Sequence, residues 1–140
     1  MKKNVLIVLI GILMLVFNSF GYATEAPVTH INVYYFFTNF RCSRCYAFEK
    51  FTKEALERYF NPELRSEKIV FKPLNIDQKE NEHFMKDYQL YTKAVVISMV
   101  NGDKEIKYKN LPKIWEYVGD KEKFYNYIKT ETDQYLAEVK

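Results

Sequence analysis

The chain has 140 residues and a mass of 16.8 kDa, with 48% hydrophobic and 28% charged residues. These values fit a single globular domain and exclude disordered and collagen-like classes. Formal net charge is +3, but Lys2 and Lys3 belong to the first 23 residues, and beyond them 19 basic face 18 acidic residues. That near-neutral balance excludes an electrostatic footprint for nucleic acid.

Residues 1–23 read as a secretory signal. Lys2 and Lys3 open it, Val5 to Phe17 is a run of 13 residues without a polar side chain, and Gly21-Tyr22-Ala23 offers a small-residue cleavage site. The alternative, an uncleaved membrane anchor over residues 5–17, falls short of the roughly 20 apolar residues that span a bilayer. The expected mature domain is therefore residues 24–140, beginning at Thr24, periplasmic or secreted, and in contact with the membrane only before cleavage.

His30 to Phe37 is rich in β-branched and aromatic residues and reads as a buried strand. From Cys42 the period changes. Cys45, Phe48, Phe51, Ala55 and Tyr59 recur at helical steps, with Glu49, Lys50, Lys53, Glu54, Glu57 and Arg58 between them. Asn61-Pro62 marks a restart, Asn as cap and Pro in the first turn. Ile69 to Ile76 predicts a second strand, at a sheet edge because Pro73 cannot donate to a ladder. Asp77 with Glu80 three residues on predicts a helix from Asp77 to Leu90.

Ala94 to Val100 and Lys104 to Lys109 predict a third and fourth strand, joined by a tight turn at Asn101-Gly102 with positive φ at both positions. Leu111 to Val118 predicts a short helix stopped at Gly119, and Asp120 caps a last helix to about Val139. The order β-α-β-α-β-β-α implies a parallel pair with a right-handed crossover plus an antiparallel hairpin. The fold class is α/β, a mixed sheet of about four strands with helices on both faces. The Tyr and Phe residues, 23 in all, are expected to fill its core.

The chemistry sits at Cys42-Ser43-Arg44-Cys45, where the first strand hands over to the first helix. A thiol at a helix N-terminus meets unpaired N–H groups and the positive end of the dipole, both of which favour thiolate. Arg41 and Arg44 are expected to add positive charge. Cys42 is then the exposed nucleophile and Cys45, one turn inward, the resolving thiol. A CxxC beside a βαβ pattern reads as a thioredoxin-like redox motif. Two rival readings start from the same thiols. One is a soft-metal or arsenic-binding module, although a closed zinc site needs four ligands and only His30 and His83 could add to the pair. The other is a non-catalytic interaction subunit whose disulfide is structural. His83 is expected to partner a nearby surface group.

The strand, the CxxC, the helix and the segment Tyr88-Gln89-Leu90-Tyr91-Thr92-Lys93-Ala94-Val95 resemble the thioredoxin superfamily over most of residues 24–140. More narrowly, YYFFTNFRCSRC, Asn81-Glu82-His83-Phe84, Asp87-Tyr88-Gln89-Leu90 and Asn110-Leu111-Pro112-Lys113-Ile114-Trp115 resemble the ArsF-type subunit family of nitrophenyl-compound nitroreductases, exported bacterial proteins. The resemblance implies a small exported thioredoxin-like domain that passes electrons through a redox-active Cys42–Cys45 disulfide; a monomer that needs no further cofactor or metal is expected. Its partner would be a protein dithiol or disulfide, such as a reductase subunit acting on nitroaromatic or arsenical compounds. Two positions depart from thioredoxins. Phe36 stands where they usually keep a buried acid, and Ala94 where they usually have a cis-proline facing the CxxC. Ala94 implies a trans Lys93–Ala94 bond and weak reduction of general disulfides, with Lys93 either bringing a cation near the thiolate or pointing into solvent.

Overall fold

A computed structural model describes residues 28–139. The expected export segment, residues 1–23, and its cleavage site lie outside the described residues. Four strands form one sheet in the order β2-β1-β3-β4: β1 (Thr29–Phe37), β2 (Ile69–Asn75), β3 (Ala94–Asn101) and β4 (Lys104–Asn110). β1 pairs parallel to β2 and antiparallel to β3, and β3 pairs antiparallel to β4. Five helices accompany them: α1 (Ser43–Tyr59), α2 (Asn61–Arg65), α3 (His83–Asp87), α4 (Ile114–Tyr117) and α5 (Lys121–Leu136). Among the described residues no helix is long and apolar enough to cross a membrane.

β1 is buried on both faces from Ile31 to Phe36, with Asn32 the polar side chain in that run, because both faces are covered. Ile31, Val33 and Tyr35 face α1 and α5, where Phe48, Leu56, Phe124 and Ile128 join them in the larger core. Tyr34 and Phe36 point the other way, into a smaller cluster with Ile76, Tyr88, Leu90 and Val96, against which Phe84 of α3 packs. Helices therefore lie on both faces, but unequally. β2 is an edge strand, as Pro73 requires. β4 is the other edge, and its Lys107 and Lys109 reach Glu138 and Glu131 at 2.6 Å. Charged edges of this kind resist strand addition.

Five expectations change in detail, the first being that the short helix expected from Leu111 to Val118 covers only Ile114–Tyr117, after a turn. The helix expected from Asp77 to Leu90 is reduced to the five residues of α3, after a series of turns. The reason is that Asp77 does not cap: its Oδ2 accepts from the Asn39 backbone N–H at 2.7 Å, across the sheet end. Asn61 is the first residue of α2 and not its cap, which is Phe60. The hairpin turn is Gly102-Asp103, because Asn101 pairs with Lys104, and Gly102 alone has positive φ (60°). Glycine at the first turn position suits a type II′ turn. The last helix ends at Leu136, three residues early. Asp120 does cap it, accepting from the Lys123 N–H at 3.1 Å.

Candidate active site

The turn from β1 into α1 carries the two cysteines, and β2 holds that turn in place. Asn75 Nδ2 donates to Asn39 Oδ1 at 2.7 Å, and the Ile76 N–H donates to the Phe37 carbonyl at 2.8 Å. With the Asp77–Asn39 bond, these pin residues 37–39 to the carboxyl end of β2. Asn39, Asn75 and Asp77 were not legible as site residues, since nothing local links positions some 36 to 38 apart.

Cys42 is the N-cap of α1, with extended backbone (φ −97°, ψ 170°), and its carbonyl accepts from the Cys45 and Tyr46 N–H groups. No side-chain oxygen caps the helix and no acid stands in its first turn. The first-turn N–H groups of Cys45 and Arg44 also face the Cys42 sulfur, the Cys45 one being shared with the Cys42 carbonyl. Cys42 is exposed and Cys45 fully buried, both as free thiols, with their sulfurs 2.6 Å apart. The Cys45 thiol beside it, then the backbone N–H groups of Cys45 and Arg44, hold the Cys42 thiol below the ordinary cysteine range, against some desolvation.

The expected help from arginine charge has a different form. The guanidinium of Arg41 pairs with Glu49 and lies 4.4 Å from the Phe37 ring centre and 4.3 Å from that of Tyr46. It clamps the loop to α1. Arg44 contributes its backbone N–H to Cys42, while its exposed side chain borders a groove of about 420 Å³ with Ser43, Ala47, Trp115 and Gly119. Lys93 sets its ammonium 5.7 Å from the Phe40 ring centre. The causes that act most on Cys42 are the Cys45 thiol and the neighbouring backbone N–H groups.

The side chain beneath the dithiol is Tyr35, seven residues before Cys42, and not Phe36. Tyr35 is fully buried, and its hydroxyl donates to the Cys45 carbonyl at 2.7 Å. Burial pushes its phenol well above the usual range, so it stays a neutral donor. Phe36 sits on the opposite sheet face. The signal was available in the two-residue period of β1, which sends Tyr35 and Phe36 to opposite sides. Tyr35→Phe should lower stability by about 1 kcal/mol, the usual net value of such a bond. Urea unfolding would show it as a lower midpoint, and an unchanged midpoint would refute the assignment.

Ala94 opens β3, buried and paired with Phe36, and no peptide bond among the described residues is cis. The sequence reading missed Trp115. Its indole packs edge-on against Phe48 of α1 (4.7 Å between ring centres) and its Nε1 donates to the Lys93 carbonyl at 3.1 Å. His83, far along the chain, meets a surface partner, with Nδ1 2.7 Å from Asp87 Oδ2, and packs on the Phe84 ring. Among the described residues no group of three or more His, Cys, Asp or Glu side chains is placed to hold a metal.

No protein-family model matches the chain, and no curated protein matches it. Among solved structures it is similar to the germline-specific thioredoxin Deadhead of Drosophila melanogaster, at 14% identity and a TM-score of 0.40, over 67% of this chain and 80% of that one. It is also similar to a structure described as that of a malarial protein, at 15% identity and a TM-score of 0.38, over 57% and 79%. The fold itself is read from the chain's own topology. A parallel β1–α1–β2 unit, a returning β3–β4 hairpin and a final helix, with CxxC at the β1–α1 junction, make a thioredoxin-like fold.

Proposed function

We propose that this protein is an exported thiol–disulfide oxidoreductase, with Cys42 as nucleophile and Cys45 as resolving thiol. The carrying observation is an exposed, acidified thiol at the N-cap of α1 whose sulfur stands 2.6 Å from that of a buried second thiol. The Cys42 thiolate attacks one sulfur of a substrate disulfide. A Cys42–substrate bond forms, the substrate S–S bond breaks, and the departing thiolate takes a proton from water. Cys45, having lost its proton, then attacks Cys42 sulfur and releases the second substrate thiol. The substrate gains two electrons, and the protein is left with a Cys42–Cys45 disulfide. A partner dithiol reverses these steps. The resemblance of the CxxC segment and of the Asn110–Trp115 stretch to the ArsF-type family supports a reductase acting on nitroaromatic or arsenical compounds as that partner.

Equilibration against graded thiol–disulfide buffers tests the reading. A reversible two-electron transition is expected between about −270 and −120 mV, the span of working dithiols. A potential below about −300 mV would instead mark a structural disulfide. Export is tested separately. Intact-mass measurement of protein secreted by a bacterial host should give a chain beginning at Thr24, as the Gly21-Tyr22-Ala23 site requires. A full-length species held in the membrane would refute cleavage.

A further inference from the structure

On the sheet face away from α1 and α5, Phe84 of α3 packs over Tyr34 and Phe36. His30 and Asn32 continue that face of β1, by its two-residue period. They line a pocket of about 570 Å³ that reaches from Lys72 on β2 to Glu105 on β4. Asn32 is only 3% exposed, and its Oδ1 is buried without a hydrogen-bond partner among the described residues. A buried acceptor of this kind costs free energy until a donor reaches it. The torsion that turns an asparagine amide is soft, so this oxygen can swing toward a donor in the pocket.

Asn32 pairs with Ser98 of β3, and side chains so opposed stand about 4.5–5.5 Å apart at Cβ. The buried Ser98 hydroxyl donates to Glu105 Oε1, which also accepts from the Tyr88 hydroxyl at 2.6 Å. Burial and the carboxylate keep the Tyr88 phenol far above its usual range, so it remains a donor. Both bonds fall on one oxygen, and Glu105 Oε2 accepts none among the described residues. A carboxylate held by two hydroxyls, with its second oxygen open, therefore neighbours an amide oxygen that lacks a donor. The lining charges agree in sign. Lys72 is set against Asp87, Asp103 and Glu105, a formal −2 with histidine neutral. Among the described residues no three His, Cys, Asp or Glu side chains are grouped to hold a metal ion, which favours a cation that brings N–H donors.

We propose that this pocket binds a small organic cation bearing N–H donors, an alkylammonium or alkylguanidinium group, with Asn32 Oδ1 and Glu105 Oε2 as its acceptors. The site uses the sheet face opposite α1, and the proposal does not depend on the dithiol chemistry. Calorimetric titration of the purified protein with n-butylguanidinium tests it. Tetraethylammonium, of the same charge but without an N–H donor, is the control. Saturable one-to-one binding of n-butylguanidinium is expected, about tenfold or more tighter than the control. Glu105→Gln keeps an acceptor for the two hydroxyls and removes the charge, and should weaken binding about ten- to hundredfold, the factor of a charged hydrogen bond. Asn32→Leu removes the buried acceptor at similar volume. It should weaken binding about two- to tenfold without lowering the urea midpoint, since no hydrogen bond within the protein is lost with that oxygen. Backbone amide NMR of the unsubstituted protein gives the location: signals of Asn32 and Gly102 should move on titration, and those of Cys42 to Cys45 should stay. Equal affinity for the two cations, heat that does not saturate, unchanged affinity in either variant, or shifts confined to residues outside the pocket would each overturn the proposal.

Discussion

Cys42→Ser should reduce mixed-disulfide formation with any disulfide probe to background, while Cys45→Ser should accumulate the mixed disulfide. The asymmetry follows from position: Cys42 is exposed at the helix N-cap, and Cys45 is fully buried one turn on. A substrate disulfide can be attacked only by the exposed first sulfur, and only the second can then attack the bond so formed. The pH profile gives an independent readout. The folded-state value of Cys42 is depressed by the Cys45 thiol and the first-turn N–H groups. Its alkylation rate should therefore be half-maximal below the about 8.5 of a free cysteine, and fall as pH drops through that lower value. By linkage, the depressed group favours the reduced folded state above the unfolded thiol's value. That contribution is lost as pH falls through the folded value. Equal trapping by the two serine variants, or an alkylation midpoint at or above that of a free thiol, would overturn the ordered roles.

Phe48→Ala should lower stability by about 3–5 kcal/mol, the usual cost of deleting a fully buried phenylalanine. That is a large share of the roughly 5–15 kcal/mol that holds a typical domain. Phe48 has no exposed surface and stands between two aromatic neighbours, Trp115 at 4.7 Å edge-on and Phe124 at 6.4 Å stacked. The deletion therefore opens a cavity between α1, α4 and α5, and also removes the support of the indole that holds Lys93. Urea denaturation should give a lower midpoint with an unchanged slope. A loss under about 1 kcal/mol would mean that the neighbours collapse into the space.

Legibility in the sequence tracked the range of the interaction. The α1 face shows this within one element. Period alone marked Cys45, Phe48 and Ala55, all of which are buried, but placed Phe51 and Tyr59 there too, and these are only half-buried. Thr52 and Leu56, which the period did not mark, are fully buried because α5 crosses on that side. Asp77 shows the opposite failure. Its Asp–x–x–Glu spacing has the form of a helix start, yet a loop nearly forty residues earlier in the chain takes its carboxylate, and the local signal loses.

Chain order, strand and helix periods, the edge position of Pro73, the cap at Asp120 and the placing of Cys42 and Cys45 at a strand-to-helix junction are local properties, and the sequence by itself determined them. Which groups surround the dithiol was decided only by tertiary structure. Arg41 turned to Glu49 and the aromatic rings because a half-buried guanidinium needs a carboxylate and π-faces more than it can use an exposed sulfur. Tyr35 came beneath Cys45 because the register of β1 against β3 sent the odd residues to the α1 face. Trp115 closed on Lys93 across a gap of 22 positions in the chain. Contacts of that length depend on how β3 and α4 dock against α1, which no short window of sequence encodes.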